Sequence, residues 1–317
     1  MMKPLFLLTL LVVLLYSNGT AQTKDPHYKK ASELYDKEDY SNSLKEVNAA
    51  LLHDSTNSYY LFLKANTLDK LEKYQEAFLT YSLLIKLYPK DAMALSQRGV
   101  LLTSIQKPEY AIQDFTEALG FEKTDSIRLS LYLNRGAAKI NTRDFQGAYD
   151  DFFAAYTIDS LNIGVLNNLA TVCDEVGKGD KTLYYLYKMI QIDSTFIGAY
   201  VNIGFKMQEM GDYKKAISFF DKALVLNPKE PLSYSNRAFN KYKLGDLQGA
   251  LNDINVSIKL YPANSYAFRN RALILIAQKK QGDACKDIKE ALRLGFTKMY
   301  GDEVEQMEVK YCKTISM

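Results

Sequence analysis

The side chains able to do chemistry are few and scattered. The 317 residues hold two histidines, His27 and His53, both near the N-terminal end. The three cysteines, Cys173, Cys285 and Cys312, lie far from them and from one another along the chain. A zinc site needs sulfur and imidazole ligands in close pairs, and no such spacing occurs. No glycine-rich phosphate loop is present; Gly211-Asp212 and Gly245-Asp246 read as turns between helices. Serines and aspartates are plentiful, but none is tied to a candidate base. Asp150-Asp151 and Asp174-Glu175 are paired carboxylates, the kind a glycosidase uses, yet nothing beside them marks a sugar site. The expectation is a protein with no catalytic residue, no metal and no cofactor.

Composition points the same way. Lys+Arg number 40 and Asp+Glu 37, a balance that gives no electrostatic case for nucleic acid. Pro is scarce, at 7, and Leu, Ala, Lys and Tyr abound, which suits helices. The N-terminus reads separately. Lys3 is followed by an apolar run from Leu5 to Tyr16, and then by Ser17-Asn18-Gly19-Thr20-Ala21. This pattern predicts a secretory signal peptide over residues 1–21, cut after Ala21. The run is too short to span a bilayer comfortably. The mature chain is therefore expected to be exported, periplasmic or extracellular, without a membrane segment, where disulfides are allowed.

What must position any site is a repeat. Small residues recur at Ala31, Ala65, Gly99, Gly136, Ala170, Gly204, Ala238 and Ala272. A second ladder runs through Ser43, Ala77, Ala111, Ala148, Thr182, Ala216, Ala250 and Ala284. The step is 34 residues except between Gly99 and Gly136, where three residues near Phe121–Arg128 are extra. Two amphipathic helices of about 14 residues and two short turns account for the period. Phe115, Phe152 and Phe220 are placed to fill space beside the small residues, and Pro89, Pro228 and Pro262 to stop second helices.

These positions resemble the tetratricopeptide repeat (TPR) family, over about Lys24 to Phe296. Tyr132, Tyr200, Tyr234 and Phe268 stand where the family usually has Trp; the chain has none. The resemblance implies an all-α, right-handed superhelical solenoid of about eight helix-turn-helix hairpins. Units start near residues 24, 58, 92, 129, 163, 197, 231 and 265, so the array covers 24–298. A capping helix and tail fill 299–317, with Tyr300, Val304, Met307 and Tyr311 at helical spacing.

Charges and amides repeat too. Arg98, Arg135, Arg237 and Arg271 precede the small residue, and Asp114, Asp151, Asp253 and Asp287 follow sixteen residues later. The fifth and sixth units lack both, with Leu169/Tyr185 and Ile203/Phe219. Lys30 and Glu46 offer a weaker version; Lys64 with Thr80 breaks the rule. Joint presence and joint absence predict structural salt bridges. Asn134, Asn168, Asn202, Asn236 and Asn270 form another ladder, although Asn costs a helix roughly 0.6 kcal/mol relative to Ala. In the resembling family this phase faces a concave groove and holds a peptide backbone; the alternative is that Asn bonds a neighbouring hairpin. By the same phase Asn167, Thr171, Asp174, Phe205, Gln208, Phe239, Tyr242 and Arg269 are groove candidates. The family's clamp for a free C-terminus needs a Lys, Asn and Arg set that is incomplete here.

Cys173 falls at a core position. The stretch Ala284-Cys285-Lys286-Asp287-Ile288 to Leu294-Gly295, with a Cys near the C-terminus, is similar to the ending of many exported bacterial repeat proteins. A Cys285–Cys312 disulfide is expected on that likeness, with two free thiols as the alternative. It would be worth roughly 3–4 kcal/mol by the chain-entropy argument. The functional expectation is a non-enzymatic scaffold that binds an extended segment of a protein partner in the cell envelope. A structural subunit of a larger envelope or secretion assembly is the alternative, and a hydrolase or sugar-binding protein is a third reading.

Overall fold

The structure, a computed structural model, describes residues 25–312. The leader expected over residues 1–21 and the last five residues of the tail lie outside that range. The described residues form eighteen helices, a single 3-10 turn and no strand. They divide into two compact units between Gly179 and Asp180.

The first unit contains α1 (Pro26–Asp36), α2 (Tyr40–His53), α3 (Ser58–Lys70), α4 (Tyr74–Leu87), α5 (Ala92–Ser104), α6 (Pro108–Phe121), α7 (Asp125–Asn141), α8 (Phe145–Ile158) and α9 (Ile163–Val172), then the 3-10 turn Asp174–Val176. Consecutive helices pack as hairpins, and α1, α3, α5 and α7 also touch in sequence as one layer. The second unit contains α10 (Asp180–Ile192), α11 (Ile197–Glu209), α12 (Tyr213–Leu226), α13 (Pro231–Lys243), α14 (Leu247–Leu260), α15 (Ser265–Ala277), α16 (Gln281–Arg293), α17 (Phe296–Tyr300) and α18 (Glu303–Tyr311). Its first-helix layer is α11, α13 and α15. The three extra residues lengthen α7, which starts at Asp125 and runs 17 residues, against 13 for α3 and α5.

The hairpins within each unit turn through one device, and the 3-10 turn at the end of the first unit closes in the same way. Glu38, Glu72, Gln106, Arg143, Gly177, Gly211, Gly245 and Lys279 all have positive φ, between 58° and 85°. The next residue's N–H then bonds back to a carbonyl five residues earlier, as in Asp39 to Leu34 (2.9 Å), Lys107 to Leu102 (2.8 Å) and Asp246 to Lys241 (3.0 Å). This closure satisfies carbonyls that the helix end leaves orphaned. Where the following residue is Asp, its carboxylate caps the second helix: Asp39, Asp144, Asp212 and Asp246 accept from the N–H three residues on.

The helices of a hairpin meet at the small residue. A Cβ added to Gly136 would sit 2.5 Å from Phe152; at Gly99 and Gly204 it would meet Phe115 and Phe220 at 2.7 and 2.9 Å. Ala replaces Gly where the residue sixteen later is slimmer, as in Ala31/Val47, Ala238/Ile254 and Ala272/Ile288, all fully buried. Ala65 opposite Tyr81 departs from this matching; the Tyr81 hydroxyl is held by Asn66 at 2.5 Å.

Beside each contact sits an arginine fork. Nε and Nη2 of Arg98, Arg135, Arg237 and Arg271 donate to the two carboxylate oxygens of Asp114, Asp151, Asp253 and Asp287 at 2.6–2.9 Å. The aspartates are buried, so each charge is covered only because its partner comes with it. The remaining nitrogen, Nη1, reaches the preceding hairpin: Ser82, Thr116, Asp221 and Asn255 accept from it at 3.1, 3.0, 2.6 and 3.0 Å. One side chain thus ties three helices. For Arg237 burial opposes the charge, but the bonds from Asp253 and Asp221 outweigh it and push the pKa up. Glu46 accepts from Lys30 (2.6 Å) and pairs with His27 (2.7 Å), while the Thr80 hydroxyl is spent on the Glu76 carbonyl. Leu169, Tyr185 and Ile203 are buried apolar replacements.

The segment after α16 folds as two short helices. Gly295 and Gly301 both have positive φ and cut the segment into α17 and α18. Tyr300 therefore ends α17 and is exposed, whereas Phe296, Val304 and Met307 are buried against Phe268, Ala272, Ile288 and Ala291. Cys285 of α16 is bonded to Cys312 at the end of α18, with Cα atoms 5.6 Å apart. Cys173 is fully buried at the end of α9.

Two outcomes follow for stability. Gly136→Ala should destabilise by about 1–2 kcal/mol, because overpacking exceeds the helical gain of Ala. Adding Phe152→Leu should recover most of that loss, and urea unfolding of the single and double variants reads the coupling. Arg143→Gly should stabilise by about 0.5–1 kcal/mol, since a non-glycine residue pays to hold the left-handed conformation. A melting temperature below that of the parent would contradict the turn assignment.

Candidate functional site

The polar groups of the first helices divide into those already spent within the fold and those left open. Asn270 is 1 % exposed. Its Nδ2 faces Ser235 of α13, at 3.2 Å from the hydroxyl, and its Oδ1 accepts from Arg269 at 2.8 Å. Asn270 thus ties α13 to α15, the use within the scaffold that its phase left open beside the groove. Gln208 is similarly engaged: it accepts from the buried Asn240 at 2.6 Å and links α11 to α13. Burial explains the Asn270 tie, because an amide removed from water must find partners.

Asn202 and Asn236 share the phase of Asn270 but are only half-buried, as are Asn134 and Asn168 in the first unit. The side chains of these four make no hydrogen bond among the described residues. Asn167 is half-buried, and its backbone carbonyl accepts from the Thr171 hydroxyl at 2.9 Å. Asp174 is exposed at the start of the 3-10 turn.

The second unit gathers the richest set. Phe205 of α11 and Phe239 and Tyr242 of α13 are half-buried, with the latter two rings 6.3 Å apart. Lys243 lies 5.3 Å from the Phe239 ring. Arg269 of α15 is held between two rings, Phe239 and Tyr266, each 5.4 Å away. Tyr266 continues into Phe296 and Tyr300 at 6.1 and 5.4 Å. Burial pushes the Tyr266 phenol up, with Arg269 pulling it partly back. The Arg269 guanidinium also bonds Glu303, the first residue of α18, through Nε at 3.1 Å to both carboxylate oxygens and through Nη2. Such a surface of aromatic faces, open amides and cations can hold an extended peptide by stacking and backbone hydrogen bonds.

Phase found Phe205, Phe239, Tyr242 and Arg269, but not Tyr266, Lys243, Asn240 or Glu303. Asn240 could have been suspected as a second Asn one turn after Asn236. Glu303 lies beyond the repeat, where phase carries no signal. Among the described residues no group of His, Cys, Asp and Glu could hold a metal ion, and no helix is long and apolar enough to cross a membrane.

Comparison with known proteins adds to this geometry. The tetratricopeptide repeat profile matches residues 28–92 and 197–230. The Hsp70-Hsp90 organizing protein of Triticum aestivum is 24 % identical over 118 residues, 37 % of this chain and 20 % of that protein. The chain thus spans about a fifth of that curated relative. Among solved structures, the APC/C hetero-tetramer Cut9-Hcn1 aligns over 92 % of this chain and 56 % of its own, with TM-score 0.58 and 16 % identity. Yeast Tom70 aligns over 88 % and 60 %, with TM-score 0.58 and 16 % identity. These two likenesses concern the fold. Residues 28–92 and 197–230 are thus tetratricopeptide repeats, and the paired helices and their common turn extend that likeness along the described residues.

Proposed function

We propose that the protein is a non-enzymatic scaffold whose second unit binds an extended segment of a partner protein along α11, α13 and α15. The observation that carries this is the contrast within one ladder. Asn270 is buried and spent, whereas Asn202 and Asn236 stay half-buried with open amides beside Phe205, Phe239 and Tyr242. A helix that keeps Asn at a cost, without using it internally, has the amide available for a partner's backbone. The tetratricopeptide repeat family and the adaptor named among the relatives support a protein partner. Export is part of the reading; it rests on the residue pattern at 1–21 and agrees with the Cys285–Cys312 bond.

A second reading, a subunit of a larger envelope assembly, draws on a different surface. Leu79, Leu83 and Leu87 lie one turn apart on α4 and are 59, 44 and 39 % exposed. Such an apolar stripe is common where proteins associate.

Peptides selected by display against the intact protein give the test. Asn202→Ala with Asn236→Ala should weaken their binding at least about tenfold, the loss of two backbone hydrogen bonds, with the melting temperature unchanged. Unaltered affinity, or parallel losses of affinity and stability, would assign the asparagines to the scaffold.

A further inference from the structure

We infer that Arg269 is a recognition site for an acidic side chain of the partner, and that Glu303 of the cap helix occupies it until the partner arrives. The inference rests on the peptide-binding reading of the second unit and names the chemistry of one position within it.

Four observations converge. Arg269 is a built site: its side chain is 11 % exposed and its guanidinium lies 5.4 Å from the centroid of both the Phe239 and the Tyr266 ring. Its Nη1 is spent on Asn270, which is itself tied to Ser235, so the arginine is anchored from behind. The outward nitrogens, Nε and Nη2, already hold a carboxylate, that of Glu303. An arginine fork in this state is matched to a planar, bidentate acid.

The fourth observation concerns the occupant. The Glu303 side chain is 47 % exposed and sits on the first residue of α18, two residues after the positive-φ Gly301. Glu303 is the water-exposed member of the pair, so it can be exchanged for another carboxylate from the solvent side without opening the fold around Arg269. The rest of the cap is secured elsewhere. Val304 and Met307 are buried, Cys312 is bonded to Cys285, and Gln281 donates to the Tyr311 carbonyl. Glu303 can therefore swing into solvent by side-chain rotation while α18 stays docked. The aromatic neighbours Phe239, Tyr242 and Tyr266 supply apolar contact for residues flanking the acid.

The experiment uses the full mature chain and two pools of fluorescein-labelled decapeptides. Both pools are random, without acids, at all positions but one; that one is Glu in the first pool and Gln in the second. Fluorescence anisotropy should show the parent binding the Glu pool more tightly. Glu303→Gln should raise affinity for the Glu pool about fivefold and leave the Gln pool unchanged, because only the acid competes for Arg269. Arg269→Gln should erase the preference, and Arg269→Lys should keep part of it, a check that the charge matters apart from the fold. Equal binding of both pools by the parent and by Glu303→Gln overturns the inference and leaves the peptide-binding reading standing. Binding of neither pool by any variant overturns both.

Discussion

Each hairpin depends on two helices coming together at one small residue. The approach leaves room for an aromatic ring against glycine or an aliphatic chain against alanine, and little else. Once the helices are that close, a buried aspartate on one and an arginine on the other can meet in a fork. That fork then has a nitrogen to spare for the hairpin before it. Packing, charge and stacking are thus coupled through positions that recur with the repeat. A change at the small residue alters the fork, and a change at the fork loosens the neighbour. Stability built this way is local and additive from hairpin to hairpin, as expected of repeat architectures.

The same economy separates scaffold from surface. Polar side chains on the first helices have two fates. Asn270 and Arg269, and the Nδ2 of Asn240, are bonded to other parts of the fold, which offsets the cost of their burial. Asn202 and Asn236 stay wet on one side and open. The proposed binding role therefore rests on which amides the fold has not used; among the described residues no group of His, Cys, Asp and Glu could hold a metal ion. The cap belongs to both fates. Its apolar side seals Phe268 and Ile288, and its first residue places a carboxylate on the aromatic-flanked arginine.

Much of the fold was legible because its determinants repeat. The period located the hairpins, and the joint appearance of Arg and Asp marked which residues meet. The turn was legible only where it is glycine. Glu38, Glu72, Gln106, Arg143 and Lys279 adopt the same left-handed conformation, and nothing in their residue type announces it; the closing hydrogen bond imposes it. The third arm of each arginine was missed because its acceptors, Ser82, Thr116, Asp221 and Asn255, vary in type. Phase placed Asn236 and Asn270 on the same face but could not say that Ser235 would draw only the latter inward. Beyond the last repeat phase gave no help, so the split of the cap and the Glu303 bond to Arg269 are seen only in the fold.

One ladder of asparagines is divided between scaffold and surface. Side-chain amide NMR of selectively 15N-asparagine-labelled protein tests it most directly. The Asn202 and Asn236 amide protons should exchange rapidly with solvent and shift when a bound peptide is added, while those of Asn270 stay protected and unmoved. Protection of all three alike, or a peptide-induced shift confined to Asn270, would contradict it.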